Sequence, residues 1–287
     1  MKIKRCLLNR ILFVLVVISF FSARGQAETV NCTAITYLPY TISTQGIYCL
    51  KGNLATNMTA VSAIEIAANN VVIDLNGFKL GGLAAGPGTS STGISALQRK
   101  NITIRNGTVR GFARGIWLAD DLPYTTSQGH LIENVRADMN TSVGIWVMGQ
   151  GNMVRNNQVV DTGGSTVGFV TGGTGILVYG PGNKIISNDV YETKYLSAEY
   201  GNGIAIDSGN SSVIENNRIG NMAVNPIHPG AGIYVIDSQN VLVSNNRITT
   251  TDWGIWIVAG SSAKYRDNLT RNVTAPYFGG TDVGNNN

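Results

Sequence analysis

Gly232-Ile233-Tyr234-Val235, then Val241-Leu242-Val243-Ser244-Asn245, then Arg247-Ile248-Thr249: read in order, these three phrases make one unit of a repeat. The first phrase, Gly followed by Ile, any residue and an aliphatic one, begins at Gly93, Gly115, Gly144, Gly175, Gly203, Gly232 and Gly254, at intervals of 22, 29, 31, 28, 29 and 22 residues. The second is an aliphatic strand closing on Asn, as in Ile102-Thr103-Ile104-Arg105-Asn106. Its Asn recurs as Asn76, Asn106, Asn134, Asn156, Asn188, Asn216 and Asn245. Three short strands joined by turns describe one triangular coil. Stacked coils pair each strand with its copy about 4.7–4.9 Å away, and only the stack buries an inner face.

The side-chain columns fit that arrangement. Ile94, Ile116, Ile145, Ile176, Ile204, Ile233 and Ile255 follow the glycines; two residues on stand Ala96, Leu118, Val147, Val178, Ile206, Val235 and Ile257. Both columns have one strand parity and face inward. The Asn column is expected to form an amide ladder and to accept the left-handed backbone of a sharp corner. A leucine-rich or hexapeptide solenoid would need a leucine phrase or a shorter coil.

The residues before the repeat read differently. Lys2, Lys4, Arg5 and Arg10 precede an apolar run, Ile11 to Phe21, and Gly25-Gln26-Ala27 follows, the pattern of a secretory signal peptide over residues 1–27. The run is too short for a membrane span, which needs about 20 apolar residues. The formal charge of +4 belongs to this leader: without its five basic residues the chain has sixteen basic and seventeen acidic side chains. No concentrated basic surface remains to bind nucleic acid. Cys32 and Cys49, close in sequence and expected in an oxidising compartment, are expected to form a disulfide.

The Gly-Ile strands and the Asn corner resemble the parallel β-helix repeats of the pectin-lyase-like superfamily over about residues 61–270. The resemblance implies an all-β, right-handed parallel β-helix of about eight coils of three short strands. Around it we expect an N-terminal β cap over residues 28–60, pinned by the disulfide, and a polar tail over 271–287. That superfamily includes polysaccharide lyases, glycosidases, epimerases, phage tailspikes and a periplasmic β-helix linked to copper-enzyme maturation. Such a fold does not by itself assign an activity.

The outward column of the first strand reads Ser95, Trp117, Trp146, Leu177, Ala205, Tyr234 and Trp256, and the next adds Met148, Tyr179 and Asp207. Flat aromatic rings stack on the apolar faces of sugars, and in polysaccharide-active relatives this strand floors the substrate groove. Trp117, Trp146, Tyr179, Tyr234 and Trp256 are therefore the expected substrate-binding residues. The competing expectation is that loops fold over them as a small second core. The longest connections, 83–92, 119–130, 161–174, 191–202 and 220–231, are expected before the first strand of a coil, where they would wall the face.

For catalysis the best placed groups are Asp207 and Asp237 on neighbouring coils, with Lys194 and His228 from the preceding loops. The competing reading has the two Asp residues capping turns at strand ends. Asp120-Asp121 is similar to the paired Asp of polygalacturonase relatives, but their Gly-His-Gly is absent: Gly129-His130 is followed by Leu131. The Asp-Pro-His of alginate epimerases is absent too. No cofactor is expected, unless Asp and carbonyl oxygens hold Ca²⁺; Met148, Met153 and Met222 do not cluster as copper ligands would. Two functions stand open: a secreted or periplasmic protein that binds or processes a polysaccharide or cell-surface glycan, lyase- or epimerase-like on an acidic polymer if it is an enzyme, or a non-catalytic structural, adhesion or accessory scaffold.

Overall fold

The structure, a computed structural model, describes residues 29–167, 173–194, 201–222 and 230–287. The leader expected over 1–27 lies outside them. The fold is a right-handed parallel β-helix, as the repeat implies.

The Gly-Ile strands Ser62–Ile66, Thr92–Leu97, Arg114–Ala119, Val143–Met148, Thr174–Tyr179, Asn202–Asp207 and Ala231–Ile236 pair in parallel, each with its copy one coil later. The ladder ends in the C-terminal halves of Arg247–Ile257 and Leu269–Phe278. The register aligns Ile64, Ile94, Ile116, Ile145, Ile176, Ile204, Ile233 and Ile255, all fully buried. Burial of each Ile contributes about 1.5–3 kcal/mol. The glycine before every Ile of this column but Ile64, which follows Ala63, has a steric reason. A Cβ on Gly144, Gly175 or Gly203 would lie 2.7 Å from the carbonyl oxygen of the next glycine in the column.

The Asn corner divides its two expected duties between adjacent residues. Asn76, Asn106, Asn134, Asn156, Asn216 and Asn245 take left-handed φ between 51° and 59°, and Ser187 fills that position in its coil. The buried amide ladder runs one residue later, through Asn157, Asn188, Asn217, Asn246, Asn268 and Asn286. Each Nδ2 donates to the next Oδ1 at 3.0–3.1 Å. Asn188 thus belongs to the ladder and not to the left-handed column. Along the left-handed column Asn245 donates to Asn216 and Asn216 to Ser187, and farther on Asn285 donates to Asp267.

Strands also flank the 61–270 span. Thr33–Ile35 pairs with Gly46–Leu50, which pairs with Val71–Asp74, and Tyr40–Ile42 pairs with Ser62–Ile66. The disulfide Cys32–Cys49 joins this first turn, with Cα atoms 5.8 Å apart. At the other end pairing continues through Phe278 and Thr281–Asp282. Among the described residues the helical structure is one 3₁₀ turn, Leu83–Ala85, and no helix is long and apolar enough to cross a membrane.

Candidate functional site

The outer face of the Gly-Ile strands carries the aromatic residues in register. Trp117 pairs with Trp146, Trp146 with Leu177, Leu177 with Ala205, Ala205 with Tyr234, and Tyr234 with Trp256. The rings fall into two groups. Trp117 and Trp146 lie 5.8 Å apart, and Trp146 and Tyr179 6.0 Å apart. Farther along, Tyr234, Trp256, Trp253 and Phe278 follow at centroid distances of 5.1, 5.0 and 4.6 Å. Trp253 was not anticipated, because it stands immediately before the Gly-Ile phrase that marks the column.

Between the groups, Val143, Leu177 and Ala205 form a small buried cluster against Trp146, Tyr179 and Tyr234. This is part of what the second-core expectation required. The five expected aromatic residues are nonetheless only half-buried. The indole Nε1 atoms of Trp117 and Trp146 are out of solvent with no hydrogen-bond partner. An unmade bond to a buried donor costs about 1–3 kcal/mol, so the two indoles are held here at a cost to stability. The Arg114 guanidinium lies over the Trp117 ring, 4.3 Å from its centroid.

The Tyr179 rung leads to the polar end of the face. Tyr179 pairs with Asp207 and Asp207 with Ile236, and the Tyr179 hydroxyl donates to Asp207. The Ser208 hydroxyl donates to the same carboxylate at 2.9 Å. Burial pushes the Asp207 carboxyl above its ordinary value; the Ser208 and Tyr179 bonds oppose this, and the charge of Asp237 adds to it. Tyr179 is pushed up to about 12 by burial, then by Asp207 and Tyr124. Asp237, one residue beyond Ile236, is exposed with φ 46°. Asp207 and Asp237 therefore interact but differ in setting, one half-buried and one in water.

Tyr124 completes this corner, its ring 5.4 Å from Tyr179. It rides on the 119–130 loop, which does not precede a Gly-Ile strand as expected. The loop leaves the end of Arg114–Ala119 and leads into Leu131–Asp138. Asp120 organises it: its buried carboxylate accepts the N–H groups of Asp121 at 3.0 Å, Thr126 at 3.0 Å and Ser127 at 2.9 Å.

Lys194 stands elsewhere. It is ion-paired with Asp161 and precedes Asn202–Asp207, whereas Asp207 ends it. The strand separates them by about 17 Å of backbone. His228 lies outside the described residues. Ser127, His130 and Asp120 have the composition of a nucleophilic triad but not its wiring. His130 Nδ1 accepts the Ile102 N–H at 3.2 Å, so Nε2 carries the proton and donates to Ser127 Oγ at 2.7 Å. The serine receives a proton and is not activated by a base, and both side chains are buried. Among the described residues, no three His, Cys, Asp or Glu side chains converge as metal ligands.

Comparison with known proteins agrees with the fold. The family model described as right handed beta helix region matches residues 22–189 and 164–286. No curated protein matches the chain. Among solved structures it is similar to the Dettilon tailspike protein (TM-score 0.63, 17% identity, 83% of this chain and 47% of that one). It is similar to tailspike protein 2 of Escherichia coli O157:H7 bacteriophage CAB120 (0.61, 16%, 89% and 37%). It is also similar to the alginate lyase of Paenibacillus sp. str. FPU-7 (0.55, 14%, 86% and 99%). The chain thus spans about half or less of the tailspikes it resembles. With the stacked parallel strands and a match along most of its length, the chain belongs to the right-handed β-helix family.

Proposed function

We propose that the outer Gly-Ile face binds an extended polysaccharide or cell-surface glycan, and that the protein works outside the cytoplasm, secreted or periplasmic. The observation that carries the reading is the half-buried aromatic column, with Trp117, Trp146 and Tyr179 in ring contact along the outer face. Rings offer stacking surface for the apolar faces of sugars. From Trp117 to Trp256 the column covers five rung steps, about 24 Å, the reach of a short oligosaccharide. The disulfide and the leader pattern support the compartment. Tailspikes and an alginate lyase share the fold, and the alginate epimerase AlgG, another structural relative, is periplasmic.

Any chemistry on the bound glycan is placed at Asp207. Its carboxyl is half-buried, bonded by the Ser208 hydroxyl, and raised above its ordinary value by burial, and Asp237 on the next rung supplies the second carboxyl. Calorimetric titration with an oligosaccharide panel tests the binding. Trp146→Ala should weaken the best ligand by about tenfold, one lost stacking contact. Asp207→Asn should abolish any product formation while leaving the ligand bound. A second reading, a scaffold without catalysis, is favoured by the burial of Val143, Leu177 and Ala205 under the aromatic rings. The absence of any glycan binding would select it.

A further inference from the structure

We propose that the glycan taken by this face carries no carboxylates: the sugar at the Tyr124–Tyr179–Asp207 corner is uncharged or amino-substituted, and polyuronates are rejected. The inference rests on the glycan-binding reading above and adds the substrate class.

The charges of Asp207, Asp120 and Asp121 all act on the Tyr124 hydroxyl, and that of Asp237 acts on Asp207. Asp207 is bonded to Tyr179, and Asp237 stands on the next rung. Asp120 and Asp121 begin the loop that carries Tyr124. The partners that hold three of them are neutral donors: backbone N–H groups for Asp120, the Gln98 amide at 3.0 Å for Asp121, and the Ser208 and Tyr179 hydroxyls for Asp207.

Elsewhere the coil treats acidic side chains differently. Asp74 pairs with Arg105, Glu133 with Arg155, Asp138 with Arg110 and Arg136, Asp161 with Lys194, Asp189 with Arg218 and Asp267 with Arg266. Among the described residues, Asp120, Asp121, Asp207 and Asp237 take part in no ion pair. No described Lys or Arg pairs with a carboxylate at this corner, and the cation of the face, Arg114, lies over Trp117 instead; six of the eleven other described acidic side chains hold the ion pairs just named.

A uronate brought onto Tyr179 would face this charge at short range in a partly dehydrated site, where repulsion is stronger than in bulk water. Hydroxyl groups would instead donate to the open carboxylate oxygens, and a sugar ammonium would make charge-assisted bonds to them.

The test is a binding screen of neutral, amino-sugar and uronate oligosaccharides of equal length, several linkages of each, at low salt. The binders should fall in the neutral and amino classes, with uronates weaker by about tenfold or more, a gap that narrows as salt is added. Asp121→Lys, on an exposed side chain, should strengthen uronate binding about tenfold relative to neutral oligosaccharides measured on the same variant. A uronate among the tightest ligands, or no response of uronates to Asp121→Lys, overturns the inference and leaves the glycan face standing. Failure of every class to bind overturns the glycan-binding reading itself, and this inference with it.

Discussion

Acidification should loosen the coil through one imidazole. His130 is buried at a corner of the helix, and both ring nitrogens are committed: Nδ1 accepts from Ile102 and Nε2 donates to Ser127. A second proton would set Nδ1–H against the Ile102 N–H and leave a charge out of water. Burial accordingly lowers the imidazole pKa to about 4, with Asp120 opposing the shift. The unfolded chain binds the same proton near pH 6.5. The contribution to stability is therefore complete above about pH 6.5, is lost as pH falls towards about 4, and changes no further below that. At roughly 1.4 kcal/mol per pH unit the total is about 3 kcal/mol.

The control is His130→Asn. Asn152 Oδ1 accepts the His130 N–H at 2.9 Å, and Asn183 Oδ1 accepts the Asn152 N–H at 2.8 Å, so an amide at position 130 can serve Ile102 in the same way without titrating. Urea unfolding of both proteins from about pH 7.5 to about pH 3.5 isolates the His130 term, since the other titrating groups are shared. Wild type should lose about 3 kcal/mol more than the variant. Equal losses in both proteins, or a folded-state imidazole resonance titrating near pH 6.5, would refute the reasoning.

Asn217→Leu should destabilise by about 3–5 kcal/mol in urea unfolding, because it orphans the Asn188 N–H and Nδ2 groups and the Ile185 carbonyl together. Gly175→Ala should lower the thermal midpoint at a cost of about 1–3 kcal/mol, since its Cβ meets the Gly203 carbonyl and the partner strand cannot step aside. Replacing Cys32 and Cys49 by Ser should cost about 3 kcal/mol for a cross-link spanning 17 residues, measured against the oxidised protein in the same denaturant series.

The fold was legible because its grammar repeats. Each Gly-Ile phrase marks a close approach of two backbones, and each inward column tolerates only apolar side chains, so periodicity alone sets the register. Legibility fell where two adjacent residues share one letter. The corner column took Asn156 and passed over its neighbour Asn157; the first turns the chain and the second bonds along the axis, a division that depends on which way a side chain points. The aromatic face was readable from strand parity. Tyr124 was not assigned to it, because a loop's position in sequence does not say over which edge of the strand it will fold. Lys194 was grouped with Asp207 by proximity in sequence, whereas the intervening strand carries them to opposite corners.

The same division explains why fold and activity come apart in this architecture. Inside, the Ile column, the glycine approach and the Asn ladder each constrain one residue per coil and leave little choice. Outside, the column Ser95, Trp117, Trp146, Leu177, Ala205, Tyr234 and Trp256 meets no such rule. A change there alters what the face can hold without shifting a rung. Loops obey the same logic. Coil intervals range from 22 to 31 residues, yet the rungs stay in register, because insertions enter at corners where no ladder passes. The 119–130 loop is such an insertion: it brings Tyr124 to Tyr179 while the coils on either side remain paired. Site chemistry in this chain is thus set by the outer columns and corner insertions, and these are the positions where substitution should change ligand preference while leaving the unfolding transition in place.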